Sequence, residues 1–348
     1  MPFFSPQLPD PQHALIIAYA QAQAAIERIE ERRRLSPVRQ PWRIRSLIAE
    51  RQALARIDGL AIDDTDVLID GRGMVGPSPY DLTHGRQAIG VPISLDALLH
   101  DGMALLEWLG ISYSPISDNT SLAVARRTIP DMLIALDVWR RDALALPPSP
   151  PLLHGAELAR LWRIHAPLGR GDLVVSLLIG DRWGPGRWRG SAGGLVALGL
   201  ERSHAPWQRA EGHDLGLIWL KAIANGAQLH LDQEIRLRAY AHRAAQHVAQ
   251  RRRPGRLKDI LLLAMARPRI SSSLVARQLG LTSAGAIKLL TIATDAGLLI
   301  EQSGQASYRS YAIPVALPSA SAPNSDDLSM FEEFWADDAK NGTSPEPR

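Results

Sequence analysis

The stretch Arg256–Ile313, RLKDILLLAMARPRISSSLVARQLGLTSAGAIKLLTIATDAGLLIEQSGQASYRSYAI, carries the most regular pattern in the chain. Leu257, Ile260, Leu261 and Ala264 recur at helical spacing and describe a first helix with one apolar face, ended by Pro268. Ser271 to Ser273 supply a cap for a short second helix through Val275, Ala276 and Leu279. Gly280 turns the chain, since only glycine takes a positive φ at no steric cost. Thr282 or Ser283 caps a third helix that runs to about Asp295 and stops at Gly297. Leu298 to Ile300 and Tyr308 to Ile313 then pair as a hairpin around Ser303-Gly304-Gln305.

That order of elements is the order of a winged helix-turn-helix, and the spacing agrees. A small residue, Ala276, falls where the second and third helices touch, and Val275, Leu279, Leu281, Ala286 and Leu289 are placed beneath them. In such a unit the third helix enters the major groove of DNA with its N-terminal residues toward the base edges. Those residues are Thr282, Ser283, Ala284, Ile287 and Lys288, of which only Lys288 is basic. Ile287 suits a thymine methyl or a packing contact. Phosphate contacts are expected from the unopposed basic run Arg251, Arg252 and Arg253, from Arg256, and from Arg309 in the hairpin.

The chain of 348 residues is 46% hydrophobic, enough for two or three domains with cores of their own. It has no cysteine, which excludes disulfides, thiolate zinc sites and cysteine nucleophiles. The N-terminus lacks the charged-then-apolar order of a signal peptide, and no apolar run is long enough to span a bilayer. A cytoplasmic protein without membrane contact is expected. The net charge of +3 conceals an asymmetry: residues 315–348 hold seven acids against Lys340 and Arg348, leaving a basic body suited to a polyanion.

Outward from the C-terminal unit, periodicity predicts helices over 11–34 and 41–56. In the second, Leu47, Ile48, Leu54 and Ile57 face inward and Arg43, Arg45, Arg51 and Arg56 outward. A helix from Ser94 to Trp108 is broken near Gly102 and stopped by Gly110, and another ends at Trp139. Leu146-Pro-Pro-Ser-Pro-Pro151 is a stiff linker and a domain boundary. Beyond it lie helical stretches over 156–165, 173–179, 215–224 and 231–251. Arg182 to Arg189 alternates cations with Trp183 and Trp188, as a phosphate- or base-stacking loop would, or as a loop whose tryptophans plug a core. Glu211-Gly212-His213-Asp214 and His230-x-Asp232 have a metal-like flavour without the spacing of a zinc helix, so neither a metal nor a cofactor is expected. The tail after Ile313 is predicted to be disordered at first, then amphipathic through Met330, Phe331, Phe334 and Trp335 among acids.

Glu50-Arg51-Gln52-Ala53-Leu54-Ala55-Arg56-Ile57-Asp58-Gly59 resembles the N-terminal helix of the Fic family, which ends in a Ser-x-x-Ile-Glu-Gly type motif. Within that superfamily the architecture is most similar to the plasmid-type helix-turn-helix proteins of unknown function in alphaproteobacteria. The resemblance implies AMP transfer from a His-Pro-Phe-x-x-Gly-Asn-Gly-Arg motif, whose histidine is the base and whose glycine-rich turn cradles phosphates. This chain contains no His-Pro-Phe. Its nearest match is Gly184-Pro185-Gly186-Arg187, with Ile179 at the histidine position and Pro185 for the asparagine, while Leu54 and Asp58 replace the upstream serine and glutamate. Without the base the transferase chemistry lacks its proton acceptor.

The fold expected is mainly α, a helical body with a C-terminal winged helix-turn-helix. The divisions are a helical, Fic N-terminal-like domain 1–146, a Pro-rich linker 147–151, a second helical domain 152–254, the winged helix 255–314 and an acidic tail 315–348. The function expected is non-catalytic DNA binding for transcriptional regulation, with bases read by Thr282, Ser283, Ile287 and Lys288. The alternatives are a diverged Fic-type nucleotidyl transferase and a winged helix used for protein interaction. Double-stranded DNA is the expected partner, with a homodimer to offset the weakly basic third helix and a protein partner for the tail.

Overall fold

The structure is a computed structural model and describes residues 11–62, 88–91, 93–111, 128–169, 171–183, 191–251, 255–302 and 309–314. Those residues are mainly helical, with twelve α-helices and one antiparallel sheet of three short strands. The chain divides into two compact units: Met1–Glu30, Ser46–Leu68 and Gly76–Leu229 form the first, and Glu31–Arg45, Ile69–Val75 and His230–Arg348 the second. The division falls inside three helices, α1 (Pro11–Leu35), α2 (Arg39–Ile57) and α9 (Gly212–Ala249). Residues 147–151 lie within the first unit, where they join α5 (Ile129–Leu144) to α6 (Pro151–His165) with Pro151 as the first residue of the new helix. Among the described residues no helix is long and apolar enough to cross a membrane.

The helix ends in the first unit are set by short polar side chains. Ser94 accepts from Ala97 N at 3.0 Å and starts α3 (Leu95–His100). Asp101 closes that helix and opens α4 (Gly102–Trp108), its Oδ1 accepting from Met103 N and Ala104 N at 3.0 Å each, so the break expected near Gly102 is a shared cap. Thr128 and Asp131 form a reciprocal capping box on α5. The core is aromatic, with Trp139, Trp162 and Trp219 fully buried. The rings of Trp139 and Trp162 meet edge to face at 5.0 Å and tie α5 to α6.

Two further helices, α7 (Asp172–Trp183) and α8 (Leu195–Ser203), complete this core with the first half of α9. Helix α9 corrects the two separate helices expected over 215–224 and 231–251, since it runs unbroken for 38 residues. Its Gly226 is no break. A Cβ there would overlap the carbonyl of Leu195, and one at Gly199 would overlap the carbonyl of Ala222, so these glycines let α8 and α9 cross with backbones in contact.

Arg51 corrects the outward-facing assignment on α2, for it is only 5% exposed, and its neighbour Glu50 is fully buried. Glu50 Oε2 accepts from Ser191 Oγ at 2.9 Å, Ala192 N at 2.6 Å and Gly194 N at 3.2 Å. Gly194 is the N-cap residue of α8 and offers that helix no side-chain cap, so a carboxylate distant in sequence does the capping.

In the second unit, α10 (Leu257–Ala266) is the central helix, with Leu257, Ile260, Leu261, Ala264 and Met265 all fully buried. The short strand β1 (Ile270–Ser271) follows, then α11 (Ser272–Leu279), α12 (Ser283–Asp295), β2 (Ile300–Glu301) and β3 (Ser310–Ala312). The sheet order is β1-β3-β2, with Ile270 opposite Tyr311 and Ile300 opposite Ala312. Pairing of β2 with β3 was expected; β1 was not, and it adds an edge strand ahead of α11.

Arg45 is the second corrected arginine. Its Nε donates to Met265 O at 2.6 Å and its Nη2 to Ala264 O and Arg267 O at 2.9 Å each, covering the last carbonyls of α10. Exchanging Arg45→Met keeps the aliphatic stem and strips these bonds. The expected cost is about 2–3 kcal/mol, since charge-assisted bonds to orphan carbonyls exceed neutral ones. A denaturant midpoint unchanged from wild type would refute it.

Candidate nucleic-acid interface

Ser271 ends β1 and its hydroxyl accepts from Leu274 N at 3.3 Å, which starts α11 one residue later. Gly280 closes that helix at φ +62°, in the left-handed region that a Cβ disfavours, and its N–H returns to Ala276 O. Two residues on, Thr282 Oγ1 accepts from Gly285 N at 3.1 Å and starts α12. The turn between the helices is thus held at both ends by groups chosen for backbone geometry.

Helix α12 buries Ala286, Leu290 and Ala293, at spacings of four and three residues. Leu290, not the expected Leu289, is the fully buried leucine, and Leu289 is half-buried, a one-residue rotation of the apolar stripe. The other face carries Ser283, Ala284, Ile287, Lys288 and Thr291, all exposed. Ile287 is 50% exposed, so among the described residues it packs into no core. All four residues expected to read bases therefore lie on or beside one solvent face. Thr282 differs from the others, because its hydroxyl is already engaged as the cap.

The cations expected to hold phosphates are less uniform. Arg256 donates from Nη2 to Leu279 O at 2.9 Å and pairs through Nε with Asp259 at 2.8 Å, so it covers the end of α11. Arg309 lies 3.6 Å from Glu301 across the β2–β3 pair, and Arg251 donates from Nε to His247 Nε2 at 3.1 Å. Arg252 and Arg253 lie outside the described residues. Arg277, exposed on α11, and Arg267, just beyond α10, were not among the expected phosphate contacts. Burial and the nearby positive charge of Arg277 lower the pKa of the Arg267 guanidinium from its ordinary value.

The segment 255–314 as a whole holds seven cations against Asp259, Asp295 and Glu301, and two of those acids face arginines. The periodic register of α11 could have disclosed Arg277, and the i,i+3 spacing to Asp259 could have disclosed one partner of Arg256, but not its bond to Leu279 O.

Among the described residues no group of three histidine or acidic side chains is placed to hold a metal ion. The first unit holds an open cleft of about 290 Å³ lined by Arg56, Glu201, His204 and Trp207, in which Arg56 Nη2 donates to Glu201 Oε2 at 2.8 Å. The residues 184–190, with the side chains of Arg182 and Trp183, lie outside the described residues, as does the whole tail from 315. No protein-family model matches the chain, and no curated protein is significantly similar to it.

Proposed function

We propose that this chain is a non-catalytic DNA-binding transcriptional regulator that reads duplex DNA with α12 of a C-terminal winged helix. One observation carries the reading: α12 is anchored by Ala286, Leu290 and Ala293 and turns Ser283, Ala284, Ile287 and Lys288 outward as a single strip. On a helix lying in a major groove, Lys288 would donate to guanine O6 or N7, Ser283 would donate or accept, and Ile287 would touch a thymine methyl. Arg277, Arg267, Arg309, Arg251 and Arg256 would hold the phosphates, with Arg251, Arg256 and Arg309 exchanging His247, Asp259 and Glu301 for them. A cytoplasmic homodimer would double the few base contacts each α12 can offer.

The test is DNA retardation by the full chain at two salt concentrations, using DNA from upstream of its own coding sequence, with a Ser283→Ala, Lys288→Ala variant alongside. Binding is expected to weaken steeply with salt, by about 0.9 log units per phosphate contact for each tenfold rise. The variant should lose about 1–3 kcal/mol of preference for specific over random DNA. Sequence preference untouched by the double change would refute α12 as the reader.

The half-exposed Ile287 favours one other reading, a helix face that docks a protein. Salt-independent capture of a protein, with no DNA retardation at low salt, would select it. The diverged nucleotidyl transferase would act around residues 182–189, and no observation on the described residues favours it.

A further inference from the structure

The exposed strip of α12 is complementary to a segment this chain itself carries. Residues 326–338, DDLSMFEEFWADD, hold six acids and no cation, with Met330, Phe331, Phe334 and Trp335 at the spacing i, i+1, i+4, i+5. That spacing would gather the four apolar side chains on one side of a helical segment and leave acids around them. The strip on α12 offers the counterpart: Ile287, 50% exposed, next to Ala284 and Lys288, on a segment with four more cations than acids. Polyanionic character and an apolar stripe are the two properties that this face, taken as a DNA reader, would select in any occupant.

We infer that the acidic-aromatic segment 326–338 docks on the exposed face of α12 in the same chain and competes there with DNA. The inference rests on the winged-helix reading for its consequence, though the docking itself can be tested without DNA. Eleven residues, 315–325, separate Pro314 from the segment. Fully extended they reach about 36 Å, far more than the ~20 Å length of a 13-residue helix. A tether of that length keeps the segment at an effective concentration on the order of millimolar, so even a weak contact is populated. Aromatic side chains would cover Ile287 while the acids face Lys288 and Arg277, and high salt would loosen the contact as it loosens DNA.

The chain has no cysteine, so a pair of introduced thiols reports proximity without background. Full-length Ala284→Cys, Ala336→Cys leaves Ile287, Lys288 and the aromatic residues in place. Mild oxidation is expected to join the two within one chain, faster than in an Ala20→Cys, Ala336→Cys control, whose first thiol takes an exposed position of α1. In parallel, Phe331→Ala, Phe334→Ala, Trp335→Ala in the otherwise native chain is expected to raise affinity for random-sequence duplex about tenfold, the factor for a contact with a dissociation constant of about 0.1 mM at an effective concentration of about 1 mM.

Rapid intrachain cross-linking together with that rise supports the inference. Cross-linking with no DNA binding by any variant supports the docking and removes the DNA-reader reading. No excess over the control, or a disulfide formed only between two chains, overturns the docking. Cross-linking with DNA affinity unchanged by the aromatic substitutions overturns the competition.

Discussion

Replacing Glu50→Leu is expected to lower the stability of the first unit by about 3–5 kcal/mol, the range seen when a buried charge network loses one member. The side chain is fully buried and gathers three donors on Oε2, Ser191 Oγ and the N–H groups of Ala192 and Gly194. A leucine fills similar volume and returns nothing to those donors. Each amide stranded in the interior costs about 1–3 kcal/mol, and the anion's interaction with the N-terminus of α8 is lost as well. Glu50→Gln keeps an acceptor oxygen at full length and is expected to lose less than half as much, whereas Ser191→Ala removes one donor and should cost about 1 kcal/mol. The order Leu, then Gln, then Ser191→Ala, read from urea midpoints at constant m, is the signature of a distant carboxylate acting as a helix cap. A leucine variant within 1 kcal/mol of wild type would falsify that role.

Gly199→Val is expected to damage the first unit about as severely. At this position a Cβ overlaps the carbonyl oxygen of Ala222, and the obstacle is backbone on the opposite helix, so no rotamer change clears it. Overpacking a core costs about 1–3 kcal/mol when side chains can give way and more when they cannot. A loss above ~3 kcal/mol is therefore expected for valine, with Gly199→Ala intermediate because it adds only the Cβ. The valine chain should accumulate in the insoluble fraction, and its thermal midpoint, if soluble protein is obtained, should fall by several degrees. Wild-type solubility and midpoint in the valine chain would mean that α8 and α9 do not approach as described.

Much of the second unit could be read before its structure, for a physical reason. Ser271, Gly280, Thr282 and Gly297 act on backbone within four residues of themselves, so their chemistry is legible locally. The same holds for the break at Asp101–Gly102 and the positive φ of Gly110. What was missed acts across the fold. Gly226 looks like a break in any helical pattern, and only the neighbouring Leu195 carbonyl explains why a glycine sits there inside a continuous α9. Arg45 and Arg51 look like solvent-facing cations because periodicity carries no information about the carbonyl groups that folding brings to Arg45 or the groups that bury Arg51.

The candidate interface divides in the same way. Its exposed strip follows from the 3.6-residue period and was expected, apart from the one-residue rotation at Leu290. The state of its arginines was not: Arg309 finds Glu301 only once β2 and β3 are in place, and Arg256, beside its i+3 neighbour Asp259, also reaches Leu279 O of another helix.

Strand β1 has a kinetic meaning. Its two residues pair with β3 some forty positions later in the chain, whereas α10, α11 and α12 meet their neighbours in sequence order. Closing so long a loop waits on the helices between its ends, so that zipper is expected to close after they have packed, and its opening would expose the buried Ile270 and Tyr311. Any partner that grips both β1 and α11 would hold that zipper shut, and would feel its opening as a limit on how long it stays bound.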